Sequence, residues 1–489
     1  MRRARKIPPV IKRIKKIEVN NFKGLYGEHE IDLTNSGKNL MLYGENGSGK
    51  SSVANAIKLF FQSSVKDINV VDYENVFVPP ANRNTGFIKM TIGDAGNPGS
   101  NLPYILDNTN YRQTATFIAN ANKIKGFLDY KSLLKTHYLE TNKVNVFKLL
   151  VEVLLSDFIN SRTTNTIETD WEKLKTDIQD RRTTEYTALK APGGLLQQFN
   201  EGLTELLQEV ETKANELIAY FNYNVGIKLH FNNVTIGRTK GFANENIELI
   251  VDFFDKTNLP EHHRFLNEAR LTAISIAIYL GAVLSNIQSG YKFLVLDDVF
   301  IGLDTSNRLP FLKILDDKFS DYQIFMTTYD KSWYELVKSE NKPNWEYAEL
   351  YIKEEHQNGY EIPILHNKTD FIARAEHYLN NVGDLKASAS YVRSEFEKLV
   401  KNFCHNKKIP VKFDKTQSKI SGEDFWSASK DKTKPDGTRY VTEALRDAIE
   451  TQRTLVMNPF VHYDLIKPTF RAELVRTIDL VKQLKTALT

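Results

Sequence analysis

The side chains best suited to chemistry form the run GENGSGKS, which lies between an apolar stretch and a helical pattern that reaches about Phe61. Closely spaced glycines let successive backbone N–H groups face an anion, and the first turn of a helix adds its positive end. The lysine of such a loop reaches the β- and γ-phosphates, and the hydroxyl after it can ligate Mg²⁺. A Gly-Ser surface loop would leave the buried strand and the Lys-Ser pair unexplained. We predict a nucleotide phosphate loop with Lys50 as a catalytic cation and Ser51 as a metal ligand. Its residues are Gly44, Glu45, Asn46, Gly47, Ser48, Gly49, Lys50, Ser51 and Ser52.

Apolar alternation indicates which elements must hold this loop. Residues 14–22 and 28–33 alternate between apolar and polar side chains, so two strands precede the strand that enters the loop. Far downstream, the apolar stretch YKFLVLDDVF ends in Asp297 and Asp298. A carboxylate pair at a strand end is a weak signal alone, but about 240 residues after a phosphate loop it indicates the second half of a nucleotide site.

These stretches resemble the SMC/RecN class of ABC-type ATPases, a class that includes many phage-defence ATPases. The resemblance is carried by NFKG, by LMLYGENGSGKSSVANAI, by the Walker B-like VLDDVF and by the D-loop-like GLDTSNR. It implies ATP and Mg²⁺ as cofactors, with Asp297 holding the metal through water. Asp298 stands where the family usually has a glutamate that polarises the attacking water, and Asp304 resembles the D-loop aspartate.

Two positions depart from that family. The strand QIFMTT is followed by Tyr329 where ABC ATPases commonly have a switch histidine, which places fast hydrolysis, though not binding, in doubt. In FLNEARLTAISIAIYLGA, the stretch Asn267-Glu268-Ala269 replaces the Ser-Gly-Gly of the ABC signature. Since one subunit's signature contacts the γ-phosphate bound by the other, the resemblance implies a homodimer or higher oligomer. Either Asn267 and Arg270 supply that contact, or the dimer is altered; an ordinary core helix is the alternative.

Between the two halves, residues 166–222 are polar with heptad-like apolar positions and a break at APGG. This pattern predicts an antiparallel helical hairpin with arms of about 25 residues, or roughly 37 Å. Such an arm is too short for a chromosome-organising SMC protein and has no Cys-x-x-Cys hook. Residues 127–158 are predicted to be mostly helical, and residues 225–254 alternate like paired strands.

Composition limits the class of protein. The chain has 489 residues, of which 41% are hydrophobic and 26% charged, so we expect a soluble protein of two or three domains with no membrane partner. The lone Cys404 excludes an intramolecular disulfide and favours a reducing, cytoplasmic compartment. The first 16 residues carry eight Lys/Arg and no acid. This tail could contact nucleic-acid phosphates or could simply be solvated.

From residue 366 the pattern becomes helical, with further helices predicted over 441–457 and 468–488. This bundle resembles HEPN-type domains, some of which are metal-independent ribonucleases, as in PrrC and RloC. The resemblance suggests Arg393, Glu397 and His462 as nuclease residues, since a histidine can move the 2′-OH proton and an arginine can stabilise phosphorane charge.

The spacing argues against that chemistry. Eight residues separate Arg453 from His462, more than the common HEPN pattern has, and Asn458-Pro459 interrupts the helix. Arg393 and Glu397 could equally form an i,i+4 ion pair, and His462 a cap or loop contact. We therefore favour a bundle that binds a partner or forms oligomers.

The sequence thus predicts an α/β ABC-type P-loop NTPase with an inserted short helical hairpin and a C-terminal all-α bundle. The expected parts are 1–165 with the phosphate loop, 166–222 as the hairpin, 223–355 as the second ATPase half, and 366–489 as the bundle. The resemblance implies an ATP hydrolase that acts as a nucleotide-gated sensor or regulator of a toxic effector protein in bacterial antiviral defence. Its layout is similar to that of PtuA and other OLD-like or retron-associated ATPases. A PrrC/RloC-like ATPase-ribonuclease toxin and a DNA-repair ATPase are the alternatives.

Overall fold

The computed structural model describes most of the chain, and its contacts divide it into two compact units, Met1–Asn367 and Lys368–Thr489. The described residues are 11–124, 126–129, 145–238, 241–259, 261–286, 290–300, 302–340, 342–355, 360–366, 371–412, 420–459 and 471–488.

Strands of the first unit form where apolar residues alternate or run continuously. They are β1 (Lys12–Phe22), β2 (Leu25–Asp32), β3 (Asn39–Gly44), β4 (Phe87–Asp94), β5 (Leu102–Leu106), β6 (Phe127–Asp129), β7 (Val225–Phe231), β8 (Thr235–Ile236), β9 (Phe242–Ala243), β10 (Ile247–Phe253), β11 (Lys256–Leu259), β12 (Phe293–Asp297), β13 (Gln323–Thr328), β14 (Trp345–Glu355) and β15 (Tyr360–His366).

Helices of the first unit lie between these strands, and several begin at a capping side chain such as Thr166, Asn267 or Asp304. They are α1 (Lys50–Gln62), α2 (Thr116–Lys123), α3 (Phe147–Leu149, continued by a π-helical turn at Leu150–Leu154), α4 (Ile167–Asp177), α5 (Thr184–Leu189), α6 (Leu195–Ile218), α7 (Glu268–Ser285), α8 (Thr305–Lys318) and α9 (Lys331–Ser339).

The centre of this unit is a mixed sheet that contains, among the described residues, six strands in the order β15-β14-β3-β13-β12-β6. All neighbours are parallel except β14 and β15. Strands β3, β12 and β13 are buried almost along their whole length, as expected for parallel strands covered on both faces. Their carboxyl ends lie on one edge, so the residues that follow them meet there.

One face of the sheet is covered by α1 and, beyond it, by an antiparallel sheet in the order β2-β1-β4-β5. The predicted pair of strands before the phosphate loop is therefore confirmed as β1 and β2. Phe61 of α1 stacks on Phe293 of β12 with 4.3 Å between ring centroids. This packing fixes the helix that begins at the loop against the strand that ends in the carboxylates.

The opposite face is covered by α7; residues 272–283 of this helix are all buried, as expected for a segment that is apolar on every side. Gly281 is where α7 crosses α6: a Cβ there would lie 2.9 Å from the Ala214 backbone nitrogen. Among the described residues, α7 alone is long and apolar enough to cross a membrane by length and composition, and 72% of it is buried inside this unit.

The insertion differs from the predicted hairpin. Its second arm is the 24-residue helix α6, but the first is divided into the shorter α4 and α5. Trp171, Leu174 and Leu207 belong to the same core as the central sheet, so these helices pack onto the unit instead of projecting from it. The heptad-like spacing of apolar residues therefore reflects burial in this core and not a free coiled coil.

Side chains of α6 also complete the paired strands β7 and β10, which the sequence predicted. Asn215 Oδ1 accepts from the Ile227 N–H (2.8 Å), and its Nδ2 donates to the Ile227 carbonyl (2.9 Å). Glu211 Oε2 accepts from the Leu229 N–H at 2.8 Å. The edge of β7 opposite β10 is thereby hydrogen-bonded by side chains of α6.

The prediction that residues 127–158 are mostly helical is wrong at their start, and residues 130–144 of that stretch lie outside the described residues. Phe127–Asp129 forms β6, parallel to β12, and Asp129 stands beside Asp297 in the register. Its three residues are too few for the alternation of a strand to be recognised.

The second unit is helical, as the sequence predicted. Its core contains Phe396, Trp426 and Val481, and the lysine-rich connection contributes a helix of its own. The helices are α10 (Phe371–His377, continued by a π-helical turn at Tyr378–Val382), α11 (Leu385–Asn406), α12 (Gly422–Ser429), α13 (Glu443–Gln452, continued by a π-helical turn at Arg453–Met457) and α14 (Arg471–Leu488).

Candidate functional site

The loop between β3 and α1 is tightly packed and needs its glycines. Gly47 and Gly49 have φ angles of +87° and +99°, a region that glycine occupies without strain. A Cβ at Gly44 would lie 2.3 Å from Ser48 Oγ and 2.9 Å from Lys50 Cγ. Ser48 is fully buried, and within the described part of the chain its Oγ has no hydrogen-bond partner. The loop is thus a closely folded cradle with an unused polar atom inside it.

Lys50 is buried at the first turn of α1, with 4% of its surface exposed. Its Nζ donates to the Glu45 carbonyl oxygen (3.0 Å) and lies 3.8 Å from Asp298 Oδ2. The fold therefore brings the cation of the loop and the carboxylate after β12 together, as the sequence reasoning required.

Thr327, at the end of β13, organises both carboxylates. Its Oγ1 donates to Asp297 Oδ1 (2.6 Å) and accepts from the Asp298 N–H (3.1 Å). The backbone N–H of Tyr329 donates to Asp298 Oδ1 at 3.1 Å. Sequence reasoning missed Thr327; its position at the end of the strand next to β12 was the signal that could have found it.

Asp298 has two unusual properties. Its φ angle is +52°, in the left-handed region that non-glycine residues seldom adopt. Burial raises the pKa of its carboxyl, the Lys50 ammonium partly opposes this, and Asp297 raises the pKa further. A strained backbone and a raised carboxyl pKa are features that functional sites often share.

The two serines after Lys50 differ. Ser51 is exposed. Ser52 is buried, and its Oγ accepts from the Gly24 N–H (3.1 Å). Ser52 therefore ties the β1–β2 turn to the loop, a contact that the sequence did not predict.

The signature-like residues form a second cluster. Asn267 caps α7 by accepting from the Arg270 N–H at 3.0 Å. The Arg270 guanidinium lies over the rings of Phe253 (5.1 Å) and Tyr223 (5.5 Å). Burial, with a contribution from Asp304, raises the pKa of Tyr223 to about 12, although Arg270 opposes it. Arg270 and Asp304 thus both lie close enough to Tyr223 to affect the acidity of its hydroxyl.

Two further residues stand at positions where the family commonly has other side chains, Glu268 and Tyr329. The Glu268 side chain lies against Gly302, where a Cβ would be 3.0 Å from Glu268 Oε1. Tyr329 is 41% exposed, and only its backbone is used to hold Asp298. That Tyr329 contacts the nucleotide, without the charged role of the switch histidine, remains a prediction.

In the second unit, the proposed nuclease residues take part in ion pairs. Arg393 Nε lies 3.0 Å from Glu397 Oε1, and its Nη1 donates to the Met457 carbonyl (3.3 Å). Arg453 is buried between Glu423 and Glu450. His462 lies outside the described residues.

Comparison with known proteins gives a family match. The model of the RecF/RecN/SMC N terminal domain matches residues 13–343. A search of curated proteins returned no match. Among solved structures, the chain is similar to an Smc head domain with an extended coiled coil, bound to the C-terminal domain of ScpA, from Pyrococcus furiosus. That similarity has 12% identity and a TM-score of 0.44, over 76% of this chain and 100% of the other. An SmcHead bound to the C-winged helix domain of ScpA gives 11% identity and a TM-score of 0.42, over 74% and 99%.

Proposed function

Because the chain belongs to the RecF/RecN/SMC N-terminal domain family, we propose that it binds ATP with Mg²⁺ and hydrolyses it at the edge of the central sheet. The observation that carries this proposal is the 3.8 Å approach of Lys50 Nζ to Asp298 Oδ2, across elements about 250 residues apart in sequence.

The loop supplies the binding chemistry. Its backbone N–H groups and the first turn of α1 face the phosphates, while Lys50 neutralises charge between the β- and γ-phosphates. The buried Ser48 hydroxyl has no hydrogen-bond partner among the described residues, and it could bond a phosphate oxygen only after the loop opens around it. Lys50 exchanges its bond to the Glu45 carbonyl for the nucleotide.

The residues also suit a magnesium ion. Ser51 offers an exposed hydroxyl and Asp297 a carboxylate, and Mg²⁺ is usually held by one or two such oxygen ligands together with substrate phosphates. Bound there, Mg²⁺ would neutralise charge on the phosphate oxygens. Thr327 orients Asp297 through its 2.6 Å hydrogen bond, which leaves the second carboxylate oxygen for the metal or its water.

Asp298 orients the attacking water. Its carboxylate accepts the proton of a water whose oxygen attacks the γ-phosphorus, while the bond to the bridging oxygen breaks and ADP leaves. A raised carboxyl pKa makes Asp298 a stronger base than an ordinary aspartate. The Tyr329 N–H fixes Oδ1, so Oδ2, which lies 3.8 Å from Lys50 Nζ, is the oxygen that would accept the proton once Lys50 has turned to the nucleotide.

The test is to compare ATP binding and hydrolysis in wild type, Lys50→Ala and Asp298→Ala. Lys50→Ala should lose binding, whereas Asp298→Ala should bind ATP and lose about 10²- to 10⁴-fold in turnover. Gly226→Ala on β7 is the control, because a Cβ there would meet its neighbours only at ordinary van der Waals distances. Wild-type rates in both site variants would refute the proposal.

At a finer level, the proposal is a nucleotide-gated regulator of a toxic effector in bacterial antiviral defence, with the second unit as the partner-binding part. The ion pairs of Arg393 with Glu397 and of Arg453 with Glu423 and Glu450 support binding over catalysis, since these side chains already serve the fold. Deleting residues from 368 onward should abolish association with the partner. RNA cleavage by purified protein that is lost in His462→Ala would instead establish a ribonuclease.

A further inference from the structure

One buried arginine joins the two segments that flank the catalytic carboxylate. Arg308 of α8 is 8% exposed. Its Nε donates to the Leu303 carbonyl (2.7 Å), Nη1 to Asp330 Oδ2 (2.5 Å), and Nη2 makes a long contact of 3.5 Å with the Phe300 carbonyl. A planar guanidinium can bond several acceptors in fixed directions, which a lysine ammonium cannot. Arg308 thus links the segment after Asp298 to the segment after β13.

Asp330 accepts a hydrogen bond from Arg308 and also caps a helix. Its Oδ1 accepts from the Trp333 N–H (3.0 Å) and so caps α9. Burial opposes ionisation, but the bonds from Trp333 and Arg308 lower the pKa of the Asp330 carboxyl overall. Its backbone N–H donates to Thr328 Oγ1 (3.1 Å). Asp330 therefore fixes the turn formed by residues 328–331.

That turn holds the catalytic carboxylate. Tyr329 lies inside it, and its backbone N–H bonds Asp298 Oδ1 at 3.1 Å. If the turn shifts, this donor shifts with it, and Asp298 loses the bond that selects its orientation. A displacement of about 1 Å in a reacting group can cost about 10²-fold in rate.

We propose that Arg308 is a positioning residue for ATP hydrolysis, because its bonds to Asp330 and to the Leu303 and Phe300 carbonyls hold the turn that orients Asp298. The inference rests on the proposed function. Within the described residues, none of these bonds joins Arg308 to the phosphate loop; it acts through Asp330 and the Tyr329 N–H.

The decisive variant is Asp330→Asn, since asparagine is as good an N-cap as aspartate and keeps the shape while it removes the charge that pairs with Arg308. We expect kcat to fall about 10- to 100-fold, with KM for ATP changed less than about threefold.

Arg308→Lys and Arg308→Gln complete the set. Both should reproduce the loss in kcat. Since the two residues act as a pair, the Arg308→Gln/Asp330→Asn double variant should lose no more of its kcat than the more impaired of the two single variants. Arg112→Gln, which removes an exposed arginine 3.5 Å from Asp67, is the control and should leave kcat unchanged.

The outcomes separate this inference from the proposed function. Lys50-dependent hydrolysis with wild-type kcat in Asp330→Asn and Arg308→Gln would overturn the inference alone. Losses that fall equally on kcat and ATP affinity and follow the melting temperature would also overturn it, because they indicate a purely structural role. Absence of Lys50-dependent hydrolysis in the wild type would refute both.

Discussion

At the scale of single residues, Asp298 combines backbone strain with an altered acidity. A φ of +52° is tolerated by aspartate better than by most side chains, but it is still unfavourable. The conformation persists because Thr327 and Tyr329 hold the residue through hydrogen bonds. The left-handed backbone at Asp298 places its carboxylate beside Lys50, whereas an extended backbone would direct it elsewhere.

The altered acidity predicts a pH dependence. Burial raises the pKa of the Asp298 carboxyl above its ordinary value of 3.8. Since only the ionised form can accept a proton from water, kcat should fall as pH decreases through this raised pKa. The measurement is kcat against pH over the acid range in which the protein stays folded.

The control is Asp316→Asn, which removes an exposed carboxylate paired with Lys342 and should leave the profile unchanged. An acid limb centred at or below the ordinary aspartate value would contradict the prediction.

The sequence predicted some site residues and missed others for a physical reason. Lys50 and Asp298 belong to local patterns, a glycine loop and a strand end, whose chemistry depends on neighbours along the chain. Thr327 and Arg308 act through residues on other elements, and those partners are set by the order of strands in the sheet. The residues that lie next to a threonine or an arginine in the sequence do not indicate the order of strands in the sheet.

At the scale of elements, the crossing of α6 and α7 depends on a missing side chain. A Cβ at Gly281 would lie 2.9 Å from the Ala214 nitrogen and 3.0 Å from the Val210 carbonyl oxygen, and neither backbone atom can move alone. Gly281→Ala should therefore destabilise the protein by about 1–3 kcal/mol despite the better helix propensity of alanine.

Urea unfolding measures this change, and Gly226→Ala is the matched control because a Cβ there meets only ordinary contacts at 3.8–3.9 Å. Equal stability of Gly281→Ala and wild type would mean that the helices separate more easily than their packing indicates.

The strand β14 and the helix α9 are joined by an ion pair next to the phosphate loop. Lys331 Nζ lies 2.7 Å from Glu349 Oε2. Burial opposes ionisation of Glu349, but Lys331 and the Tyr351 hydroxyl lower the pKa of its carboxyl to about 2. A carboxylate with a lowered pKa contributes stability above its unfolded value near 4.5 and loses it as pH falls toward about 2.

Glu349→Gln should therefore lower the free energy of unfolding by about 1.5–3 kcal/mol at neutral pH. The difference from wild type should shrink as pH falls from 4.5 toward about 2. Glu335→Gln removes a more exposed partner of the same lysine, 3.2 Å away, and should cost less than about 1 kcal/mol. A difference that does not depend on pH would contradict the assignment.

Helices and strands with long periodic patterns could be predicted, whereas the way they pack could not. The 24 residues of α6 have a clear apolar stripe, but that stripe fits a free coiled coil and a buried core helix equally well. The element that packs against the stripe decides between these two cases, and that element, α7, lies about 70 residues further along the chain.

At the scale of the whole molecule, the family resemblance predicts a homodimer whose signature-like residues complete the site of the other copy. Asp298→Ala with ATP and Mg²⁺ should trap that dimer, because bound nucleotide would not be consumed. Arg270→Ala in the same background should weaken it. Sedimentation at micromolar concentration measures the mass, with Lys50→Ala as the nucleotide-free control; a monomer under trapping conditions would refute this assembly.

The position of β3 in the central sheet affects how the protein can be made. This strand, Asn39–Gly44, pairs with Phe325–Thr328 of β13 and with Trp345–Leu350 of β14, so both neighbours are synthesised far later. At about 5–20 residues per second, a ribosome would take roughly tens of seconds to reach them. During that interval the apolar strand has no sheet to join, and the nascent chain cannot form its nucleotide site. Binding of chaperones to the first 60 residues, and release only after about residue 350 emerges, is the expected consequence for biogenesis.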